Sequence, residues 1–256
     1  MKPPRSPCSV PPEGGAARSW GGPARGPVME QRELDAIAER YARRPANDRY
    51  SLLRPEVWQM LHERQRALLQ VLAQRPGVPA DWRLTEVGCG AGGNLLEMLR
   101  IGLLPAHLSG IELLPERHAA ACEVLPSTVT LMLGNASEAD IEPGSQDLVL
   151  QSTVFSSILS NEVQAAVAAA MWRWLKPGGA VLWYDFIINN PRNPDVRGVP
   201  LKRVRELFPD AQIKWQRLTL APPLARLVCR LQPSAYTLFN SMPWLRTHVL
   251  AVIEKR

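Results

Sequence analysis

Between residues 84 and 94 the chain reads Leu84-Thr85-Glu86-Val87-Gly88-Cys89-Gly90-Ala91-Gly92-Gly93-Asn94, an apolar run broken by four glycines and followed by a helical pattern. Glycine at 88, 90 and 92 permits a tight turn out of a strand, and it lets a ligand approach backbone where a Cβ would collide. The pattern downstream alternates. Short apolar runs predict strands at about 83–87, 107–112, 128–133, 146–151 and 180–187, separated by helical patterns at about 92–101, 115–124 and 161–175. Such alternation implies an α/β fold with a parallel sheet and helices on both faces, and it places the ligand crevice at the carboxyl ends of the strands.

The flanks depart from that rhythm. Residues 1–28 are rich in Pro, Gly, Ser and Arg, with almost nothing to bury, and are expected to be a disordered tail; Met29 is the expected natural initiator. Residues 29–80 are expected to form an N-terminal helical cap. Apolar residues recur there at helical spacing, as Leu34, Ile37, Ala38 and Tyr41 and again as Val57, Leu61, Leu68 and Leu72, with Pro55 suited to a first turn. The remaining domain, 81–256, closes with two strand patterns, Ile213–Leu220 and His248–Ile253, which read as an antiparallel pair. The connection between them, about 221–247, contains prolines, leucines, Tyr236 and Trp244, and is expected to act as a lid.

Composition removes several classes. The net charge is +6, of which +3 lies in residues 1–28, and no clustered basic face marks a nucleic-acid partner. Cys8, Cys89, Cys122 and Cys229 are far apart and show no C-x-x-C spacing, so no metal site is predicted. No run approaches the roughly 18 consecutive apolar residues of a membrane span, and no secretory signal is visible, so a cytoplasmic protein without stable membrane insertion is expected. Oligomeric state is not legible.

The glycine loop by itself leaves two ligands open, because Gly88, Gly90 and Gly93 also fit the G-x-G-x-x-G of dinucleotide enzymes. Glu86 lies two residues before the first glycine, and a carboxylate there suits an ammonium- or sulfonium-bearing ligand rather than a pyrophosphate. Downstream, Ser109-Gly110-Ile111-Glu112 ends the second strand with an acid, and Leu175-Lys176-Pro177-Gly178-Gly179 precedes the fifth. In order and spacing these three features resemble the class I S-adenosylmethionine-dependent methyltransferases, over about residues 55–256. The resemblance implies a Rossmann-like seven-stranded, mostly parallel sheet with an antiparallel last strand. It also implies S-adenosylmethionine as cofactor. From Asn189 onward the chain resembles bacterial methyltransferases of small-molecule biosynthesis.

Carried over residue by residue, the resemblance puts Glu86, Gly88, Cys89, Gly90 and Gly92 around the methionine part of the cofactor, and Glu112 with Leu113 at the ribose. An ionised carboxylate has the acceptors to take two hydroxyl donors, which suits Glu112 independently. Asn135 and Ala136, after strand three, are implied at the adenine, with Asn135 departing from the commoner Asp. Gln151 and Ser152, after strand four, are implied beside the transferable methyl. Asp185 at the end of strand five and His248 at the start of the last strand are the candidate catalytic bases, the latter because a His titrates near neutral pH. A small-molecule acceptor is expected, with O-methylation of a natural product, lipid or sugar conjugate as the reading. The alternative is a non-catalytic protein that binds S-adenosylmethionine or S-adenosylhomocysteine.

Overall fold

The computed structural model describes residues 26–43, 51–190 and 193–256. Most of the expected tail therefore lies outside the described residues. Seven strands form one sheet: β1 (Leu84–Val87), β2 (Leu108–Glu112), β3 (Thr130–Leu133), β4 (Gln146–Ser152), β5 (Leu175–Phe186), β6 (Gln212–Leu220) and β7 (Arg246–Glu254). Their order is β3-β2-β1-β4-β5-β7-β6. The pairs β1–β2, β2–β3, β1–β4 and β4–β5 are parallel, whereas β7 runs antiparallel to both β5 and β6. This is the Rossmann-like mixed sheet expected from the sequence, with the antiparallel closing pair in place.

Helices cover both faces. They are α1 (Gly26–Ala42), α2 (Pro55–Leu72), α3 (Gly93–Ile101), α4 (Pro115–Val124), α5 (Asn161–Trp174), α6 (Leu201–Leu207), α7 (Pro222–Leu231) and α8 (Ala235–Asn240). The period of two in the strands sorts the core. Val149, Val181 and Trp183 point to the face packed by α5, while Leu148, Leu150 and Leu182 point to the face packed by α3 and α4. Because both faces are covered, all four residues of β1 are buried, the polar Thr85 and Glu86 included.

The two N-terminal helices separate. Ile37 of α1 joins the α5 side, and Leu72 of α2 joins the α3 side. The first helix starts at Gly26, inside the segment 1–28 for which disorder is expected. Ala67 of α2 packs on Tyr184, Leu218 and Leu250, so this helix lies directly against the sheet rather than above it. Strand β5 begins at Leu175, earlier than its apolar run suggests, because the Leu175–Gly179 turn is drawn into the sheet edge; its register to β4 shifts between Gln146 and Leu148.

The connection 221–247 is ordered into α7 and α8 around one carboxylate. Glu63 of α2 is buried and accepts from the Thr219 N–H (3.1 Å), the Tyr236 hydroxyl (2.8 Å) and the Asn240 amide (2.7 Å). Thr219 holds φ at 66°, a value β-branched residues rarely adopt, and its hydroxyl lies 2.7 Å from that of Tyr184. Three segments distant in sequence are thus tied to one side chain. No helix among the described residues is long and apolar enough to cross a membrane.

Replacing Glu63 by Ala leaves three buried donors without an acceptor, at about 1–3 kcal/mol each. Urea unfolding is expected to show a loss of at least about 3 kcal/mol for Glu63→Ala and a smaller loss for Glu63→Gln, which keeps an acceptor oxygen. Equal stabilities for all three chains would contradict the role given to this carboxylate.

Candidate active site

The site lies where the strand order reverses. β1 has β2 on one side and β4 on the other, so the loops that follow β1 and β4 diverge and leave a crevice between them. Gly88 turns the chain out of β1 at φ 66°, and a Cβ built on it would stand 2.5 Å from Val154 Cγ2 in the loop after β4. A side chain at 88 would therefore push the two walls apart. Opposite, Thr153 sits at φ 59°, held by donation of its N–H to the Tyr184 carbonyl (2.8 Å). Strain of this kind costs on the order of 1–3 kcal/mol and persists only where neighbours impose it. Gln151 helps to impose it, accepting from the Val154 N–H at 3.1 Å.

Glu112 ends β2 on the cleft wall. Its carboxylate accepts from the N–H of Gly90 (2.7 Å) and of Leu114 (3.0 Å), so it braces the glycine loop from the neighbouring strand. Each oxygen keeps a further acceptor position. Gly88, Glu112, Leu113, Asn135, Ala136 and Ser152 all line this one cleft. The Asn135 carbonyl also caps the next turn, accepting from the Ser137 N–H at 3.0 Å.

Glu86 sits beneath the glycine loop and is fully buried. The Asn94 amide donates to its Oε1 at 2.5 Å, and its Oε2 has no partner. Burial pushes its pKa up to about 7, against the opposing effects of the Asn94 hydrogen bond and the Arg64 charge. An unpartnered buried carboxylate oxygen is costly unless a cation or donor meets it. Arg64 of α2 supplies the nearest positive charge without touching that oxygen: it donates to the Ser152 hydroxyl (2.6 Å) and to Asn94 Oδ1 (2.7 Å), and its guanidinium lies 5.3 Å from the Tyr184 ring centroid.

The first helix closes the other end. Ile37 and Tyr41 line the cleft, with the Tyr41 ring 5.3 Å from the Arg117 guanidinium carbon. Arg40 donates to the Ser157 carbonyl (3.0 Å) and pairs with Glu33 (2.8 Å), which in turn accepts from the Leu159 N–H (2.7 Å). This largely buried network fixes α1 over the loop after β4.

Several sequence candidates lie off the cleft wall. Cys89 is buried in the core, where its Sγ leaves room for no more than a hydrogen on Gly110, and burial pushes its thiol far up. Gly90 and Gly92 shape the loop, at φ 58° and 83°. Asp185 is fully buried and accepts from the Ser156 N–H (3.1 Å) and its neighbour's Phe186 N–H (2.9 Å); burial raises its pKa to about 7. It anchors the short turn Phe155–Ser157 and does not line the cleft. His248 stacks on Tyr184, with ring centroids 5.1 Å apart, and burial with the Arg64 charge lowers its pKa to about 4. The expected near-neutral titration of His248 gives way to a neutral imidazole. Arg64, Asn94, Arg117 and Thr153 are the site residues that pattern reading passed over. Among the described residues, no group of three His, Cys, Asp or Glu side chains is placed to hold a metal ion.

Residues 85–179, which span the glycine loop to the Leu175–Gly179 turn, match the family model of a methyltransferase domain. Over this stretch the chain is similar to a methyltransferase domain. A sterol 24-C-methyltransferase of Yarrowia lipolytica is 27% identical over 136 residues, which is 49% of this chain and 34% of that protein. The chain thus spans about a third of the curated relative it matches. Among solved structures, an S-adenosylmethionine-dependent methyltransferase from Archaeoglobus fulgidus superposes with TM-score 0.55 at 13% identity, covering 75% of this chain and 92% of the other. A Haemonchus contortus phosphoethanolamine N-methyltransferase, solved with S-adenosylhomocysteine, gives TM-score 0.53 at 17% identity over 75% and 52% of the two chains. At such identities these neighbours speak for the fold. The unpartnered Glu86 oxygen and the Cβ-free turn at Gly88 are features that the cofactor of such domains, S-adenosylmethionine, would fit.

The low pKa of His248 has a sign that can be checked. Its folded value lies below the ordinary 6.5, so the imidazole stabilises the fold when neutral, and stability falls as pH drops below about 6.5 towards 4. NMR titration is expected to give a His248 midpoint near 4. A midpoint between 6 and 7 would contradict the burial of this ring and restore a base titrating at neutral pH.

Proposed function

We propose that the chain transfers the methyl group of S-adenosylmethionine to a small-molecule acceptor, by O-methylation of a natural product, lipid or sugar conjugate. The observation that carries the reading is a buried carboxylate with an unpartnered oxygen, Glu86, two residues before the Gly88 turn of the cleft that a second carboxylate, Glu112, lines. Glu86 Oε2 meets the ammonium of the methionine moiety, and Arg64 lies where the carboxylate of that moiety needs a counter-charge. Glu112 accepts the ribose hydroxyls with the lone pairs that Gly90 and Leu114 leave over. Asn135 and Ala136 lie against the adenine, under the lid made by Ile37 and Tyr41.

The cofactor supplies an electrophilic methyl on a good leaving group, so the protein's work is alignment and exclusion of water. Alignment of this kind accounts for about 7–11 kcal/mol of barrier. The strained Thr153 turn and Ser152 set the wall where donor and acceptor meet. Asp185 acts at one remove, by holding the Phe155–Ser157 turn. His248, whose imidazole burial keeps neutral, stacks on Tyr184 beside Phe186 and supports the carboxyl end of β5 without lining the cleft. The resemblance of the segment from Asn189 onward to bacterial biosynthetic methyltransferases is consistent with a small-molecule acceptor without naming one, and the cytoplasm is the compartment this reading fits.

Two measurements test the proposal. Methyl-labelled S-adenosylmethionine offered with hydroxylated lipid, polyketide and glycoside acceptors is expected to label one class; label in none of them, with the cofactor bound, would contradict the acceptor assignment. Cofactor affinity is expected to rise between pH 6 and 7.5 as Glu86 ionises through about 7, to lose that dependence in Glu86→Gln, and to fall by about a hundredfold in Glu112→Ala, the equivalent of two charge-assisted hydrogen bonds. A pH-independent affinity in the wild type would overturn the role of Glu86.

A further inference from the structure

Residues 211–253 contain five Lys and Arg residues (Lys214, Arg217, Arg226, Arg230 and Arg246) and no Asp or Glu. Within this segment α7 is amphipathic in an inverted sense. Ala225, Val228 and Cys229 are buried against the protein, yet the opposite stripe is also apolar: Leu227 is 58% exposed and Leu231, one turn on, is 79% exposed. Arg226 and Arg230 each precede one of these leucines and flank the stripe. The helix packs on α8, which carries Leu238 at 68% exposure, and α8 packs on the Pro243–Leu245 turn, which carries Trp244 at 71%. Gln59 of α2 donates to the Pro233 carbonyl between α7 and α8, which brings the start of α2 beside the same group.

We propose that the outer face of α7, with Leu238 and Trp244, docks on an anionic lipid surface. The chemistry of the face selects that occupant. Leucines and a tryptophan reach into the interface between headgroups and acyl chains, while arginines beside them meet lipid phosphates. A second copy of this chain is a poor fit, since two faces bearing only cations would be pressed together. Docking costs little ordering, because α8 is tied to Glu63 through Tyr236 and Asn240, and Ala225 and Cys229 of α7 pack in one cluster with Tyr236. The face lies between the end of β6 and the start of β7, the same sheet edge at which β1, β4 and β5 end. On the reading of the cleft as a methyl-transfer site, docking holds the acceptor side against the bilayer and selects acceptors that reside there.

The test uses the full chain and vesicles of phosphatidylcholine with or without phosphatidylglycerol, read by co-sedimentation. Wild type is expected to bind the anionic vesicles, to bind the neutral ones much more weakly, and to be released by high salt. Leu227→Ser with Leu231→Ser, and separately Arg226→Gln with Arg230→Gln, are each expected to weaken partitioning by about tenfold or more. Leu227, Arg230 and Leu231 are exposed and Arg226 is half-buried, all away from the cleft, so melting temperature and S-adenosylhomocysteine affinity are expected to stay nearly unchanged. Failure of the wild type to bind anionic vesicles would overturn the proposal. So would full binding by the leucine variant, which would assign the affinity to the basic segment 1–28, or light scattering that shows a dimer abolished by the leucine changes. Vesicle binding without any cofactor binding would sink the methyl-transfer reading and leave the docking surface standing.

Discussion

The rest of the molecule depends on the reversal of strand order at β1. With β2 on one side and β4 on the other, the sheet cannot cover its own carboxyl edge there, and a crevice opens between the loops that follow. Everything at the site adapts to that gap. Gly88 keeps its wall thin enough to pass Val154, Thr153 accepts a strained backbone, and Glu112 reaches from β2 to tie the glycine loop by the Gly90 N–H. The crevice is thus a property of topology first and of individual side chains second.

Helix α2 connects this crevice to the distal part of the sheet. Glu63 and Arg64 are neighbours in sequence, yet Glu63 gathers Thr219, Tyr236 and Asn240 while Arg64 gathers Ser152, Asn94 and the Tyr184 ring. A buried carboxylate is tolerated only when its lone pairs are met, and Glu63 has four donated contacts to its two oxygens. Glu86 lacks that satisfaction at one oxygen, which is why burial dominates its titration. The contrast separates a carboxylate that organises the fold from one kept ready for a ligand.

The sequence showed the sheet and the cleft wall clearly, for a physical reason. Strands covered on both faces are rich in apolar residues, so residues 148–150 and 180–183 stand out as core strands, and Leu84–Val87 is marked instead by the glycines that follow it. The acid Glu112 sits at a strand end next to a glycine loop, where local chemistry alone makes it conspicuous. Arg64 was not legible because a charged residue on a helix is ordinarily solvated; only its place among Val57, Leu61, Leu68 and Leu72, on the apolar stripe, could have flagged it. Asp185 and Cys89 lie in the core rather than on the cleft wall. Both occupy motif positions near the strand ends, but whether a side chain there turns to the cleft or to the core depends on register against neighbours that are distant in sequence. The two helices of the connection 221–247 were not legible because its prolines mask their short periodic patterns, and their outer leucines look like core residues.

The most direct test of the central claim is calorimetric titration of the full chain with S-adenosylmethionine and S-adenosylhomocysteine at a pH above the Glu86 titration. The account predicts saturable binding of both, at one site per chain, with the Arg64→Ala variant weakened towards each. A folded sample that binds neither would contradict the assignment of the crevice between β1 and β4 as the methyl-donor site.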